Sequence, residues 1–244
     1  MNISNTKYGK VLYWKNDYFI GNVLKTGKMY EEDVFEKFLA KHIKKCKIIL
    51  DIGAHVGCHS LMYSKVNPTA EIHSFEVQKK MYELLKKNIS LNNCQNVKIY
   101  NCAIGNMIKM VEINDTISDG PNTNLKLEYG TPNKLNLGGV CLGKGSEEQL
   151  MITIDSLELK ECDFIKIDVE GFEPFVIMGA LETIKKYKPV IFYEKNYKNV
   201  TTEMLKIAES ESYEEVRKIL TSVGYKIYDT IIYNYLAICE QSKQ

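Results

Sequence analysis

Apolar residues recur along the chain with two different periods, and their alternation predicts the architecture. Short apolar runs at 47–52, 71–75, 97–102, 164–167 and 190–193 each predict a buried strand. Between them lie segments with apolar residues at helical spacing. Residues 77–91 place Met81, Leu84, Leu85 and Ile89 on one face. Residues 31–45 do the same with Val34, Phe35, Phe38, Leu39 and Ile43, acids first and lysines last, as the helix dipole favours. A helix starts over 59–65, another covers 174–187, and a third falls within 204–223, where Gly224 is placed to end it. Residues 225–228 and 235–238 predict a last antiparallel pair. Ahead of this series, 11–14 and 18–20 mix aromatic and polar residues around Asn16-Asp17, which predicts a small hairpin. Repeated strand–helix units predict an α/β fold: a doubly wound sheet with an antiparallel last strand pair and a small N-terminal hairpin and helix extension.

One region breaks the rhythm. Residues 106–150 are rich in Gly, Asn, Thr and Lys, with Asp119-Gly120-Pro121-Asn122 and Leu137-Gly138-Gly139-Val140 inside them. Strands are expected at its flanks, 109–113 and 150–154. A connection this long in a compact domain is usually functional. The expected organisation is an extension over 1–46 and a main domain over 47–244 that carries the 106–150 insertion.

Composition removes several function classes. The 244 residues are 45% apolar and 26% charged with a formal net charge of +1, so no strong field favours nucleic acid or an anionic membrane. Arg217 is the one arginine, which leaves little bidentate reading of bases or phosphates. The seven cysteines are scattered with no Cys-x-x-Cys pair, so zinc is not expected. Their odd number, and a polar start without a secretory apolar region, predict free thiols in a reducing cytoplasm. No apolar run approaches the roughly 20 residues of a membrane span.

The candidate chemistry sits at predicted strand ends. Asp51-x-Gly53-x-x-x-Gly57 follows the first strand, where glycines allow a sharp turn and close backbone approach to a ligand. It does not match the nucleoside-triphosphate loop pattern. Glu76 closes the second strand, where an acid can take both ribose hydroxyls of a nucleotide-like cofactor, NAD or S-adenosylmethionine. The fourth strand ends in Lys166-Ile167-Asp168-Val169-Glu170-Gly171-Phe172-Glu173. Lys166 and Asp168 share one strand face, and four charges around one strand end are costly unless paired or used. Glu194 ends the fifth strand, placed to approach Asp168 and Glu170.

Taken together, Asp51-Ile52-Gly53-Ala54-His55-Val56-Gly57, Phe75-Glu76, Ala103-Ile104-Gly105, Thr153-Ile154-Asp155-Ser156-Leu157, Lys166 to Glu173 and Phe192-Tyr193-Glu194 resemble the FkbM family of S-adenosylmethionine-dependent methyltransferases. The resemblance runs from about 48 to 195, and the Lys-Ile-Asp-Val-Glu-Gly block is its specific part. It implies a Rossmann-like class I methyltransferase sheet, S-adenosyl-L-methionine as cofactor, and methyl transfer to a hydroxyl of a sugar, glycan or other small molecule. It assigns Asp51, Gly53, Ala54 and Gly57 to the methionine part of the cofactor and Glu76 to the ribose. Asn101, Cys102 and Ala103 would lie beside the adenine. Asp168, Glu170 and Glu194 would face the methyl group and the acceptor, with Lys166 positioning Asp168. His55 stands where the family often has asparagine and is read as a cofactor-side contact. The lysine- and asparagine-rich style also resembles members from giant DNA viruses or AT-rich microbes, which would place the protein in a viral host's or a microbial cytoplasm.

Asp168 is the first candidate for the base that takes the hydroxyl proton, and Glu170 the second. A divalent metal could instead use the same acids and lower the pKa of the hydroxyl, but none is expected, because the acidic block lacks an obvious further run of ligands. The insertion and the N-terminal hairpin are expected to form the acceptor cleft. An NAD-dependent oxidoreductase would share the turn and Glu76, but usually shows Gly at the position of His55. A methyltransferase acting on nucleic acid or protein would share the cofactor site. The base-methylating Asn/Asp-Pro-Pro-aromatic and Pro-Cys runs are both missing, so no nucleic-acid partner is expected.

Overall fold

Seven strands form the central sheet, and the order in which they lie creates the crevice. The computed structural model describes residues 1–120, 122–195, 200–230 and 233–240. After β1 (Asn2–Thr6) and β2 (Gly9–Tyr13) come β3 (Ile48–Ile52), β4 (Glu71–Phe75) and β5 (Val97–Tyr100). Next are β6 (Ala103–Ile104), β7 (Lys109–Ile113), β8 (Glu147–Ile152), β9 (Phe164–Ile167) and β10 (Val190–Glu194). Last are β11 (Tyr225–Asp229) and β12 (Asn234–Cys239). The main sheet runs β11-β12-β10-β9-β3-β4-β5. The five strands from β10 to β5 are parallel, whereas β12 is antiparallel to β10 and to β11. The winding direction reverses between β3 and β9, and ligands bind at the carboxyl ends of strands around such a point.

Both faces of the parallel strands are apolar, so each strand is covered on two sides. Leu50, Ile52, Ile165 and Ile167 pack into one cluster, while Ile49, Ile72, Phe164 and Phe192 pack into the other. The helix Lys79–Leu91 buries Met81, Leu84, Leu85 and Ile89, as its spacing predicts.

Several expected boundaries move, each for a local reason. The N-terminal hairpin pairs β1 with β2, one strand earlier than predicted, and residues 19–24 are helical. Asn16 and Asp17 are not its turn. Asn16 bonds Glu128 O and Gly130 N across to the insertion, and Asp17 Oδ1 accepts Ile20 N at the start of the helix Phe19–Leu24. Helical turns then cover residues 32–43, with a wider π turn at Phe35–Leu39.

The segment 174–187 divides into Glu173–Met178 and Leu181–Tyr187. Gly179 lies so close to Gly105 O that a Cβ there would sit 1.9 Å from it. Asp155 then caps the second helix, accepting Glu182 N at 3.1 Å and Thr183 N at 2.8 Å. The third predicted strand, 97–102, stops at Tyr100, and the separate short strand β6 that follows it joins β8 and β7 in a small sheet. The region 204–223 holds two short helices, Thr202–Ile207 and Val216–Ser222.

The hairpin is tied to the main sheet's covering helix. Asn88 and Asn92, one turn apart, extend β2 like a further strand: each accepts a backbone N–H and donates to a carbonyl, at Leu12 and Lys10 respectively. Asn88 also donates to Val56 O at 2.8 Å, joining the hairpin to the turn after β3.

Candidate active site

The site begins at the seam between β3 and β9. Asp51 and Lys166 lie side by side in register, both buried. Asp51 Oδ2 accepts from Ser60 Oγ, and Lys166 Nζ approaches Asp51 Oδ1 at 3.7 Å. Lys166 also donates to Gly53 O at 2.8 Å and reaches Asp168 Oδ2 at 3.2 Å. Burial pulls the ammonium's pKa down, but Asp168, Asp51 and Glu31 outweigh it and keep Lys166 protonated. Gly53 has φ +76°, and a Cβ on it would sit 1.8 Å from Asp168 O. Only glycine lets the two strand ends approach this closely.

Above the seam lies a cavity of about 500 Å³. Its β4 side holds Glu76, buried, with Oε2 accepting His55 N and Oε1 accepting Gln78 N, both at 2.8 Å. Burial pushes the Glu76 carboxyl up to about 7, against the two N–H donors. Phe75, Val77, Cys102, Ala103 and Ile104 form an apolar wall beside it. Asn101 stays behind this wall and donates to Glu76 O and Val77 O.

His55 occupies the left-handed region at φ 51°, the conformation that glycine and asparagine adopt most readily. Its ring lies in the cavity wall with both nitrogens buried and without hydrogen bonds. Asp17 Oδ2, also buried and without a hydrogen bond, is 3.8 Å from Nε2. Burial pushes the imidazole down to about 4 and the Asp17 carboxyl up to about 6.

The opposite side of the cavity is acidic. Asp168, Glu170 and Glu194 each bring one oxygen within 4.8 Å of the others. Glu170 stands in the left-handed region at φ 55°, followed by Gly171 at φ 100°. Burial, then Glu194 and Asp168, hold its carboxyl well above the usual carboxylate range. Glu173 lies behind this turn and accepts Val169 N at 2.9 Å, which fixes its shape. Tyr30, Glu31, Asp119 and Asn136 complete this end. Glu31 Oε2 is 3.3 Å from His59 Nε2, and Glu31 also accepts from Asn234.

Of the residues expected from sequence, Gly53, His55, Glu76, Cys102, Ala103, Asp168, Glu170 and Glu194 line the cavity. Asp51, Ala54, Gly57, Asn101 and Lys166 do not. Asp51 is spent on Ser60 and Lys166 beneath the turn. Gly57, at φ 93°, shapes the start of the helix Cys58–Val66. Lys166 contacts Asp168 from below without reaching the cavity wall. The insertion supplies Asp119, Asn136, Gly138, Val140 and Leu142, while Pro121 lies outside the described residues. The hairpin strands supply nothing; Phe19, Ile20, Tyr30 and Glu31, which follow them, take that place. Glu31 and Asn136 carried no sequence signal. Asp119 stood in a Asp-Gly-Pro-Asn turn that reads equally well as an ordinary loop.

Comparison with known proteins agrees with this architecture. The sequence profile of the methyltransferase FkbM domain matches residues 51–227. The solved structure of a methyltransferase FkbM from Methylobacillus flagellatus KT is similar at a TM-score of 0.50 and 15% identity, over 79% of this chain and 43% of that one. This chain thus spans less than half the length of that relative, and at such identity the likeness concerns the fold. An O-methyltransferase from Bacillus cereus, in complex with SAH, gives 0.49 at 14% identity over 87% and 83% of the two chains. A SAM dependent methyltransferase from Aquifex aeolicus gives 0.45 at 16% identity over 91% and 100%. No curated protein matches. Among the described residues, no helix is long and apolar enough to cross a membrane. With its profile matched over well more than half the sequence, on a doubly wound sheet with a cavity at the winding reversal, the chain belongs to the FkbM methyltransferase domain family.

Proposed function

We propose that this chain transfers a methyl group to a hydroxyl oxygen of a sugar, glycan or other small molecule. As a member of this family it takes that group from S-adenosylmethionine. The observation that carries the hydroxyl reading is the division of one cavity into two chemistries. A buried carboxylate beside an apolar wall stands at one end, and three converging carboxylates stand at the other.

The β4 end suits the cofactor. Glu76 would take the ribose hydroxyls, and the wall of Val77, Cys102 and Ala103 would cover the adenine. The unpartnered ring nitrogens of His55 would meet the polar methionine part. When bound, the cofactor supplies a methyl group on a positively charged sulfur. The chain's own contribution is alignment, which can provide much of the acceleration, and removal of the hydroxyl proton. Asp168 would take on the second task. Lys166 fixes its orientation from below, and its side chain remains partly open to the cavity. Glu170 is the next candidate.

Calorimetry with S-adenosylhomocysteine and NAD tests the cofactor half, and binding of NAD alone would overturn it. Asp168→Asn tests the proton acceptor. It should keep S-adenosylhomocysteine affinity and lose on the order of 10²-fold or more in turnover, measured with labelled methyl donor on a panel of saccharides, phenols and macrolides. Undiminished turnover would remove Asp168 from the role.

A further inference from the structure

We propose that Asp168, Glu170 and Glu194 form a binding site for one hard divalent cation of the Mg²⁺, Mn²⁺ or Ca²⁺ class, which holds the acceptor through its hydroxyl oxygens. The three residues come from two neighbouring parallel strands. Asp168 and Glu170 follow β9, and Glu194 is the last residue of β10, one position beyond the Tyr193–Ile167 register pair. Their facing oxygens lie within 4.8 Å of one another. That is the span across a cation bonded to oxygen at about 2.4 Å, the range of Ca²⁺, and a small closure reaches the shorter Mg²⁺ and Mn²⁺ bonds.

A second, independent observation also points to a missing ligand. Glu170 is only half-buried as a residue, yet its Oε2 is cut off from solvent and accepts no hydrogen bond. A buried carboxylate oxygen without a donor is strongly unfavourable. Among the described residues no lysine, arginine or histidine forms an ion pair with Glu170. Lys166 is committed to Asp168 and Gly53 O, and Lys195 to Asp229. The cavity wall carries Glu31 and Asp119 as well, against Lys195, which is paired with Asp229, so the field at this point attracts a cation.

The ligand set is all oxygen, which selects hard cations over zinc or copper. Three carboxylate oxygens leave positions for water and for two oxygens of a vicinal diol. A hydroxyl on such a cation has a lowered pKa, which eases the demand on Asp168 as proton acceptor. From sequence a divalent cation is only the lesser alternative, because the acidic block lacks a further run of ligands. The sheet brings Glu194, 24 positions after Glu170, within reach of that block. What the cation does rests on the methyl-transfer reading, whereas its binding does not.

The test is titration of the full chain with Mn²⁺, followed by electron paramagnetic resonance, and with Mg²⁺ and Ca²⁺ by calorimetry, with and without S-adenosylhomocysteine. The expected result is one bound cation. Glu170→Gln should weaken it at least tenfold, and Glu170→Gln with Glu194→Gln should abolish it, while both variants keep S-adenosylhomocysteine affinity within twofold. A wild-type chain that binds no cation at millimolar concentrations, or variants that bind it as tightly as wild type, would overturn the site. Cation binding without any S-adenosylhomocysteine binding would leave the site standing and sink the methyl-transfer reading.

Discussion

The two ends of the cavity are built by different means. At the β4 end, the proposed cofactor end, neighbouring strand ends place Gly53, Glu76 and Ala103, and much of the geometry is main chain: Glu76 is fixed by two backbone N–H groups and the turn by backbone conformation. At the acidic end, the proposed acceptor end, side chains from the N-terminal segment, the insertion, the β9 turn, β10 and β12 converge: Glu31, Asp119, Asp168, Glu194 and Asn234. A backbone-built end tolerates an unusual side chain such as His55, provided the left-handed conformation is kept. A side-chain-built end depends on distant segments arriving together.

Gly53 is the joint between the ends, so its substitution should have the largest effect. Gly53→Ala places a Cβ 1.8 Å from Asp168 O at a φ of +76°. Either β3 or β9 must shift, which moves the cofactor turn and Asp168 together. The expected loss is about 3 kcal/mol or more of stability, with S-adenosylhomocysteine binding and cation binding both lost. Urea unfolding and calorimetry measure these. Loss at one end alone would show that the ends are not joined here.

The same contrast explains what could be read from the sequence. Strand–helix alternation gave the sheet, and contiguous motifs gave Gly53, Glu76, Asp168 and Glu170, because periodicity and turn chemistry are local. Glu31 was illegible for a physical reason. It stood in an ordinary acidic start of a helix, and its meaning comes from His59 and Asn234, the second of which lies over 200 positions away. Asp51 differs in the opposite direction: a charged residue in a motif reads as a ligand contact, yet Asp51 is paired with Lys166 across β3 and β9 beneath the cavity. Lys166, by contrast, was read as positioning Asp168, and does reach it. Asn16-Asp17 misled similarly, since residues that favour turns serve equally well as caps and bridges.

An intermediate effect is expected at Glu76, confined to the cofactor end. Its carboxyl is raised from the ordinary 4.5 to about 7 by burial. The folded chain therefore holds this proton more tightly than the unfolded chain, and stability falls by about 3 kcal/mol as pH rises from 4.5 to 7. Ribose hydroxyls donate to the ionised form, so cofactor binding should expel the proton. S-adenosylhomocysteine affinity should rise up to about tenfold per pH unit below 7 and level off above it. Glu76→Gln should flatten that dependence and weaken binding by about 10- to 100-fold, the worth of charge-assisted hydrogen bonds. Calorimetry between pH 5 and 8.5 decides it. A wild-type affinity that does not vary with pH would remove the ribose assignment.

The smallest effect should come from Glu31→Gln, which acts on the acceptor end alone. Glutamine keeps the shape, and its carbonyl oxygen still accepts from Asn234. What disappears is the negative charge facing His59 Nε2 and its Coulomb pull on Lys166. Those contacts hold residues 30–31 against β12 and the helix Cys58–Val66, so the expected stability loss is about 1 kcal/mol. S-adenosylhomocysteine affinity should stay within twofold, because Glu76 and the turn after β3 do not touch Glu31. With whichever acceptor turns over, KM should rise several-fold while kcat changes less, since Glu31 shapes the wall without lying among Asp168, Glu170 and Glu194. An S-adenosylhomocysteine affinity that falls as far as KM rises would mean that the charge of Glu31 is felt through Lys166 at Gly53, and that the two ends share one electrostatic frame despite their separate construction.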